Sequence, residues 1–223
     1  HEIIDRVAEK LHVSVVPANT GFVTEGAHFG GPHVRWVRKP RICLLMDSPA
    51  SYSVGHTWYL MDQVWKYPTT RVNFTHLSRL DLNDFNVLIM PHGSYSGDRA
   101  PSERTIARLK QWVRDGGTLI LVKGAASWAA GDDVGLLATQ RVMKSVKELD
   151  NANDSESSSQ TSKQSPESVP GAYLHANVLS KHWLTFGCPD KIEVLFNGNV
   201  ILEPLAPTKG RSLVEFVQTK ELL

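Results

Sequence analysis

The stretch from residue 116 to residue 128, Gly-Gly-Thr-Leu-Ile-Leu-Val-Lys-Gly-Ala-Ala-Ser-Trp, restricts what this chain can fold into more than any other. Leu119, Ile120, Leu121 and Val122 form an unbroken apolar run behind a glycine pair, the pattern of a strand buried on both faces in a parallel sheet flanked by helices. Lys123-Gly124-Ala125-Ala126 follows as a small-residue turn leading into a helix start. The backbone is therefore expected to pass abruptly from strand to helix at the carboxyl edge of the sheet, where α/β enzymes present a nucleophile. No Cys or Ser stands at the tip, so the pattern predicts the frame of a catalytic fold without its catalytic atom.

With 223 residues, 41% hydrophobic content and a net charge of +1, the chain has the composition of a globular protein large enough for one substantial core. A charge this close to neutral argues against a nucleic-acid partner or an anionic membrane, since both need basic residues gathered on one face. Arg35, Arg38, Lys39 and Arg41 do cluster, but they flank Pro40 just before a predicted strand and read as a solvated linker. No apolar run reaches the length of a membrane-spanning helix, and no basic-then-apolar leader opens the chain. Because it begins at His1 and stops at Leu223, the chain reads as cut from something longer. Of the two cysteines, Cys43 lies in a predicted buried strand and Cys188 in a Gly-Cys-Pro turn, so two free thiols are expected rather than a disulfide.

Apolar residues at 3, 4, 7, 8 and 11 recur at helical spacing, and 13–16 reads as a short strand. Residues 19–40, with Gly21, Gly26, Gly30 and Gly31, read as a connector, so 1–39 is expected to be an N-terminal helix and linker from a preceding domain. His12, His28 and His33 lie in this part but match no zinc template of paired short-range ligands.

Residues 40–223 are expected to form the compact domain. Strands are predicted at 42–46, 69–74, 85–90 and 119–122. A helix over 55–67 carries Trp58, Met61 and Trp65 on one stripe, and another over 101–115 carries Ile106, Leu109 and Val113 on one face. This order gives an α/β fold: an open, mostly parallel sheet with helices on both faces, whose ligands sit beyond the carboxyl ends of the strands. A further helix is expected within 134–149 and a mobile polar loop over 150–168. Asn197-Gly198 between 192–196 and 199–202 predicts a C-terminal β-hairpin, and 212–217 a last strand at the sheet edge.

The strand ends gather Asp47, Ser48, His92, Ser94 and Lys123 with Gly124, and His56 stands close behind on the first helix of the domain. Asp47, His92 and Lys123 are the catalytic candidates, a His beside a carboxylate being a workable proton shuttle and a buried Lys a possible amine nucleophile. Ser48, His56, Ser94 and Gly124 are the candidate pocket around them. The plainer alternative is that these are ordinary polar loop residues. Patterns for zinc peptidases, for the serine-hydrolase elbow and for the ATP phosphate loop are missing, and Gly93-Ser94-Tyr95-Ser96-Gly97 puts a Tyr where the elbow needs Ser. Residues 51–57, with Ser51, Ser53 and Thr57, read as an ordinary helix start, with a phosphate site of the flavodoxin-loop kind as the alternative.

Pro91-His92-Gly93, Gly116-Gly117-Thr118-Leu119-Ile120 and Lys123-Gly124-Ala125-Ala126 resemble the class I glutamine amidotransferase-like fold, which is flavodoxin-like in layout. That resemblance implies a Gly-rich oxyanion loop at the first position and a Cys nucleophile at the second. Here the Cys position falls on Lys123 or on Val122, the oxyanion loop keeps only Gly93, and neither His175 nor His182 has the Glu partner of the family's triad.

Further strings resemble the carboxy-terminal domain of large bacterial zinc carboxypeptidases related to pancreatic carboxypeptidase. They are Thr20-Gly21 with Glu25-Gly26, Pro40-Arg41-Ile42-Cys43-Leu44-Leu45, Pro170-Gly171-Ala172 and the run from Ser180 to Gly187. This similarity runs from about residue 20 onward and implies a secreted or periplasmic parent with its zinc in an upstream domain. The fragment itself would then need no cofactor. It would act as an accessory domain that packs on the upstream carboxypeptidase domain or forms a homodimer, the alternatives being a small hydrolase-like enzyme and a nucleotide- or sugar-binding module.

Overall fold

The structure is a computed structural model that describes residues 2–32, 34, 38–46, 51–147 and 161–217. The chain divides into two compact units, His1–Lys39 and Pro40–Leu223.

In the first unit, helix α1 (Glu2–Leu11) carries Ile3, Ile4, Val7 and Leu11 on an exposed stripe. The strand expected at 13–16 does not form: Val13, Val15 and Val16 are exposed, Val13 N–H donates back to the Ala8 carbonyl at 2.9 Å, and among the described residues the segment pairs with no other strand. The connector is held locally, by Phe29 N–H on the Gly21 carbonyl at 2.8 Å and Val23 N–H on His28 Nδ1 at 3.0 Å. His33 and Arg35 lie outside the described residues.

The second unit is built on a four-stranded, all-parallel sheet of β1 (Ile42–Met46), β2 (Thr69–Asn73), β3 (Val87–Met90) and β4 (Thr118–Leu121), in the order β2-β1-β3-β4. This is the doubly wound order of flavodoxin-like folds, with its switch point between β1 and β3. Alternation along β1 and β3 splits the core between the two faces. Cys43, Leu45, Leu88 and Met90 meet Leu109 and Trp112 of helix α3 (Glu103–Arg114) and Ala125 of helix α4 (Gly124–Ala129). Ile42, Leu44 and Ile89 meet Val54 of helix α2 (Tyr52–Trp58), with Trp58 and Met61 beside them.

Two helices differ from the sequence reading. α2 starts at Tyr52 because Ser51 caps it, and after Trp58 it widens into a π-helical segment, Tyr59–Val64. The wider turn takes Trp65 off the stripe of Trp58 and Met61 and leaves it exposed. In α3 the buried face is Thr105, Leu109 and Trp112, while Val113 is exposed, because the indole N–H of Trp112 finds the Leu82 carbonyl at 2.9 Å. The glycine pair after α3 has two distinct roles. Gly116, at φ 102°, is the left-handed residue that ends the helix, and Gly117 lies so close to the Trp112 ring that a Cβ would overlap it.

β4 is not buried on both faces. Leu119 and Leu121 pack into the α3 side, but Ile120 is 41% exposed, because α2 covers β1 and β3 without reaching β4, the outer strand of the described sheet.

Beyond α4 the chain forms antiparallel structure. No helix forms over 134–147, the described part of 134–149: Gly131 and Gly135 (φ 55°) bend the chain so that both Leu136 and Leu137 N–H reach the Ala129 carbonyl, and β5 (Lys144–Lys147) pairs with β6 (Thr161–Gln164). The expected mobile loop therefore includes a strand at 161–164, while 150–160 lie outside the described residues. β7 (Val169–Val178) forms the centre of a separate three-stranded sheet with β8 (Lys191–Gly198) and β9 (Val214–Phe216). The C-terminal antiparallel element is thus β7 with β8. Asn197-Gly198 does not turn the hairpin, because the Asn197 side-chain amide donates to the Pro170 carbonyl at 2.9 Å and holds this end of β8 on β7. The last strand joins this small sheet rather than the edge of the parallel one.

Candidate functional site

The strand-to-helix turn after β4 has an unusual backbone. Val122 N–H continues the ladder to the Met90 carbonyl at 3.0 Å, and Lys123 then takes φ 46° and ψ −97° before α4 begins. His12 and Lys66 are the other described non-glycine residues with positive φ. The ψ of Lys123 lies far outside the small left-handed region open to L-residues, so this conformation costs about 1–3 kcal/mol and persists only where the surroundings impose it. A sharp, strained strand-to-helix turn of this kind is what lifts a nucleophile above an α/β sheet. Of the two alignments open from sequence, the backbone puts Lys123, not Val122, at the tip.

What imposes the turn is the loop that ends β3. A Cβ on Gly124 would overlap the Gly93 carbonyl and come within 2.8 Å of His92 Nδ1, so only glycine lets the two loops seat together. His92 joins three elements at this point. Its backbone N–H donates to Ser53 Oγ at 3.0 Å, its carbonyl accepts from Ser51 Oγ at 3.3 Å, and its ring Nδ1 accepts from Gly124 N–H at 3.1 Å. An accepting Nδ1 leaves the ring proton on Nε2. Behind it, Tyr95 is buried, donates to the Pro91 carbonyl at 2.6 Å, and packs between Phe74, edge to face, and Trp128, tilted, with ring centroids at 5.3 and 5.7 Å. The β3 loop is thereby tied to α4 at two points.

Of the residues singled out from sequence, the structure brings together His92, Lys123 and Gly124. Ser94 is turned to its own loop, with its hydroxyl 3.2 Å from that of Ser96. His56 is exposed on α2, without a bond to the elbow. Asp47 and Ser48 lie outside the described residues. Ser51, Ser53 and Tyr95 hold the junction; the sequence raises the first two only through the alternative phosphate reading of 51–57, not as partners of His92. The run of Ser residues before the helix is the available sign for the first two, and Tyr95, between Ser94 and Ser96, carries none.

The chemistry open to this junction is narrow. Acyl transfer at such an elbow needs a thiol or hydroxyl at the tip and a free N–H on the next residue to receive the oxyanion. Here the tip is an exposed lysine and the next N–H is already bonded to His92. A lysine becomes a nucleophile when buried in an apolar pocket or set beside another cation, and an exposed one lacks that burial. Its ammonium instead reaches over the end of β8: a Cβ on Gly198 would stand 3.5 Å from Lys123 Nζ. The gap among Leu45, Met46, Val54, Pro91, His92 and Tyr95 has no room for a water-sized molecule. His182 caps its own turn through Leu184 N–H, and His175 lies in β7 opposite Glu193.

Cys43 cannot supply the missing thiol, since it is buried within β1 and burial pushes its pKa from 9.0 up to about 11. Cys188 is free and exposed. Among the described residues no three His, Cys, Asp or Glu side chains gather as metal ligands would, and no helix is long and apolar enough to cross a membrane.

The strand order and the elbow together give the domain an amidotransferase-like, flavodoxin-like layout. No protein-family model and no curated protein sequence matches the chain. The solved structures similar to it include the following two. One, described as part of a GMP synthase from Thermoplasma acidophilum, is 14% identical over 77% of this chain and 71% of its own, with a TM-score of 0.44. A glutamine amidotransferase from Thermotoga maritima is 7% identical over 73% of this chain and 63% of its own, with a TM-score of 0.42. The fold class stands on the topology itself, and neither likeness bears on the chemistry of the elbow.

Proposed function

We propose that residues 40–223 form a non-catalytic accessory domain that keeps an amidotransferase-like frame and has lost its chemistry. The observation that carries this reading is the bond from Gly124 N–H to His92 Nδ1 beside a lysine at the elbow tip. Either change alone removes one requirement of acyl transfer, and together they leave neither attack nor oxyanion stabilisation in place.

The strings that resemble the carboxy-terminal domain of zinc carboxypeptidases suggest a finer reading, in which the domain is carried on a secreted or periplasmic enzyme that removes C-terminal residues from peptides. In that reading the zinc belongs to the upstream domain, the partner is that domain of the same chain, and self-association is a second mode of contact. The net charge of +1 supports a role without nucleic acid or membrane. The test is the neighbouring coding sequence. An upstream His-x-x-Glu with a distant second His is expected. A coding region that begins at this domain, or an upstream segment without those ligands, refutes the finer reading and leaves the inert elbow standing.

A further inference from the structure

A cleft of about 480 Å³ lies away from the elbow, at the carboxyl end of β2, between the turn Phe74–His76 and the turn Gly97–Arg99 that leads into α3. Its volume falls in the range of small-molecule sites, and the carboxyl edge of a parallel sheet is where such sites occur. The walls are fixed. Arg108 of α3 donates to the Ser78 and Leu80 carbonyls at 2.6 and 2.5 Å, and Asn73 Oδ1 accepts from both the backbone N–H and the hydroxyl of Thr75 at 3.0 and 2.8 Å.

The lining has a definite chemical character. Phe74 and Leu77 supply an apolar side. Opposite charges come from Asp98 and Arg99, neither of whose side chains makes a hydrogen bond or ion pair among the described residues. Asn73 and Ser102 add an amide and a hydroxyl. A lining with one carboxylate and one guanidinium has no net charge to attract an anion, and Asp98 would repel a phosphate. Both planar groups can instead form paired hydrogen bonds, the carboxylate accepting two and the guanidinium donating two. Vicinal hydroxyls on a ring with an apolar C–H face match that arrangement.

We propose that this cleft binds a neutral carbohydrate, with Asp98 and Arg99 holding adjacent hydroxyls and Phe74 under the ring. No residue of the elbow takes part, so the proposal stands or falls independently of the silent elbow.

The test is an NMR titration of the 223-residue chain with cellobiose and with N,N′-diacetylchitobiose. Saturable amide shifts at 73–78 and 97–105 with at least one sugar are expected, together with about tenfold weaker binding in D98A and in R99Q, each losing a bond to a charged group. Asp98 and Arg99 are exposed, so unchanged thermal unfolding is expected of both variants and shows that the loss lies in the cleft. Four results would each overturn the proposal: no saturable shift at about 20 mM of either sugar, shifts confined to other surfaces, full affinity in both variants, or tighter binding of inorganic phosphate than of either sugar.

Discussion

The backbone N–H of Gly124 donates to the ring Nδ1 of His92 across 3.1 Å, joining the first residue after the elbow to the loop that ends β3. In a working elbow that N–H would face a reacting carbonyl. Here the loop that ends β3 meets it with an imidazole acceptor.

Restoring a thiol should therefore not restore chemistry. K123C is expected to show no release of ammonia from glutamine, because the Gly124 N–H remains bonded to His92. K123C/H92G, which frees that N–H, is the variant in which slow turnover has a route. Robust turnover by K123C alone would mean that the His92 bond is no obstacle.

The strain at Lys123 has a measurable cost. K123G relieves the positive φ but enlarges the freedom of the unfolded chain, so a net stabilisation of about 1 kcal/mol in urea unfolding is expected. Destabilisation would show that the lysine side chain over Gly198 holds the small sheet in place.

Gly124 should tolerate no side chain. G124A forces the Gly93 carbonyl and His92 away from the elbow, and the cost expected of such overpacking is about 1–3 kcal/mol in denaturant midpoints at unchanged slope. An unchanged midpoint would mean that the β3 loop is not pressed against α4.

Cys43 makes stability depend on alkaline pH. Its folded pKa is raised from 9.0 to about 11, so above pH 9 the unfolded chain gives up a proton that the folded chain keeps. Its contribution is complete below pH 9 and is lost progressively as pH rises toward 11. C43A should flatten that part of the urea midpoint against pH curve. At neutral pH a thiol reagent should modify Cys188 quickly and Cys43 only on unfolding.

Much of this architecture could be read from the sequence, and the exceptions share a cause. β1 and β3 stand out because both faces of those strands are covered, which demands an unbroken apolar run such as Ile42-Cys43-Leu44-Leu45. β4 carries an equally apolar run, and only the extent of α2 decides that Ile120 is left exposed. Asn197-Gly198 is a strong local turn signal overridden by pairing with β7, a contact distant in sequence. The same limit applies at the junction. Strand order explains why His92 and Lys123 lie on one sheet edge, whereas the direction of the Gly124 amide depends on a strained φ that composition does not encode.

An elbow built this way should be unable to attack a carbonyl. Steady-state hydrolysis of glutamine and of an activated ester by the purified chain, each compared with its K123A variant, decides the point. Rates equal to the uncatalysed background are expected for both proteins. Saturable turnover by the native chain that K123A abolishes would contradict the reading.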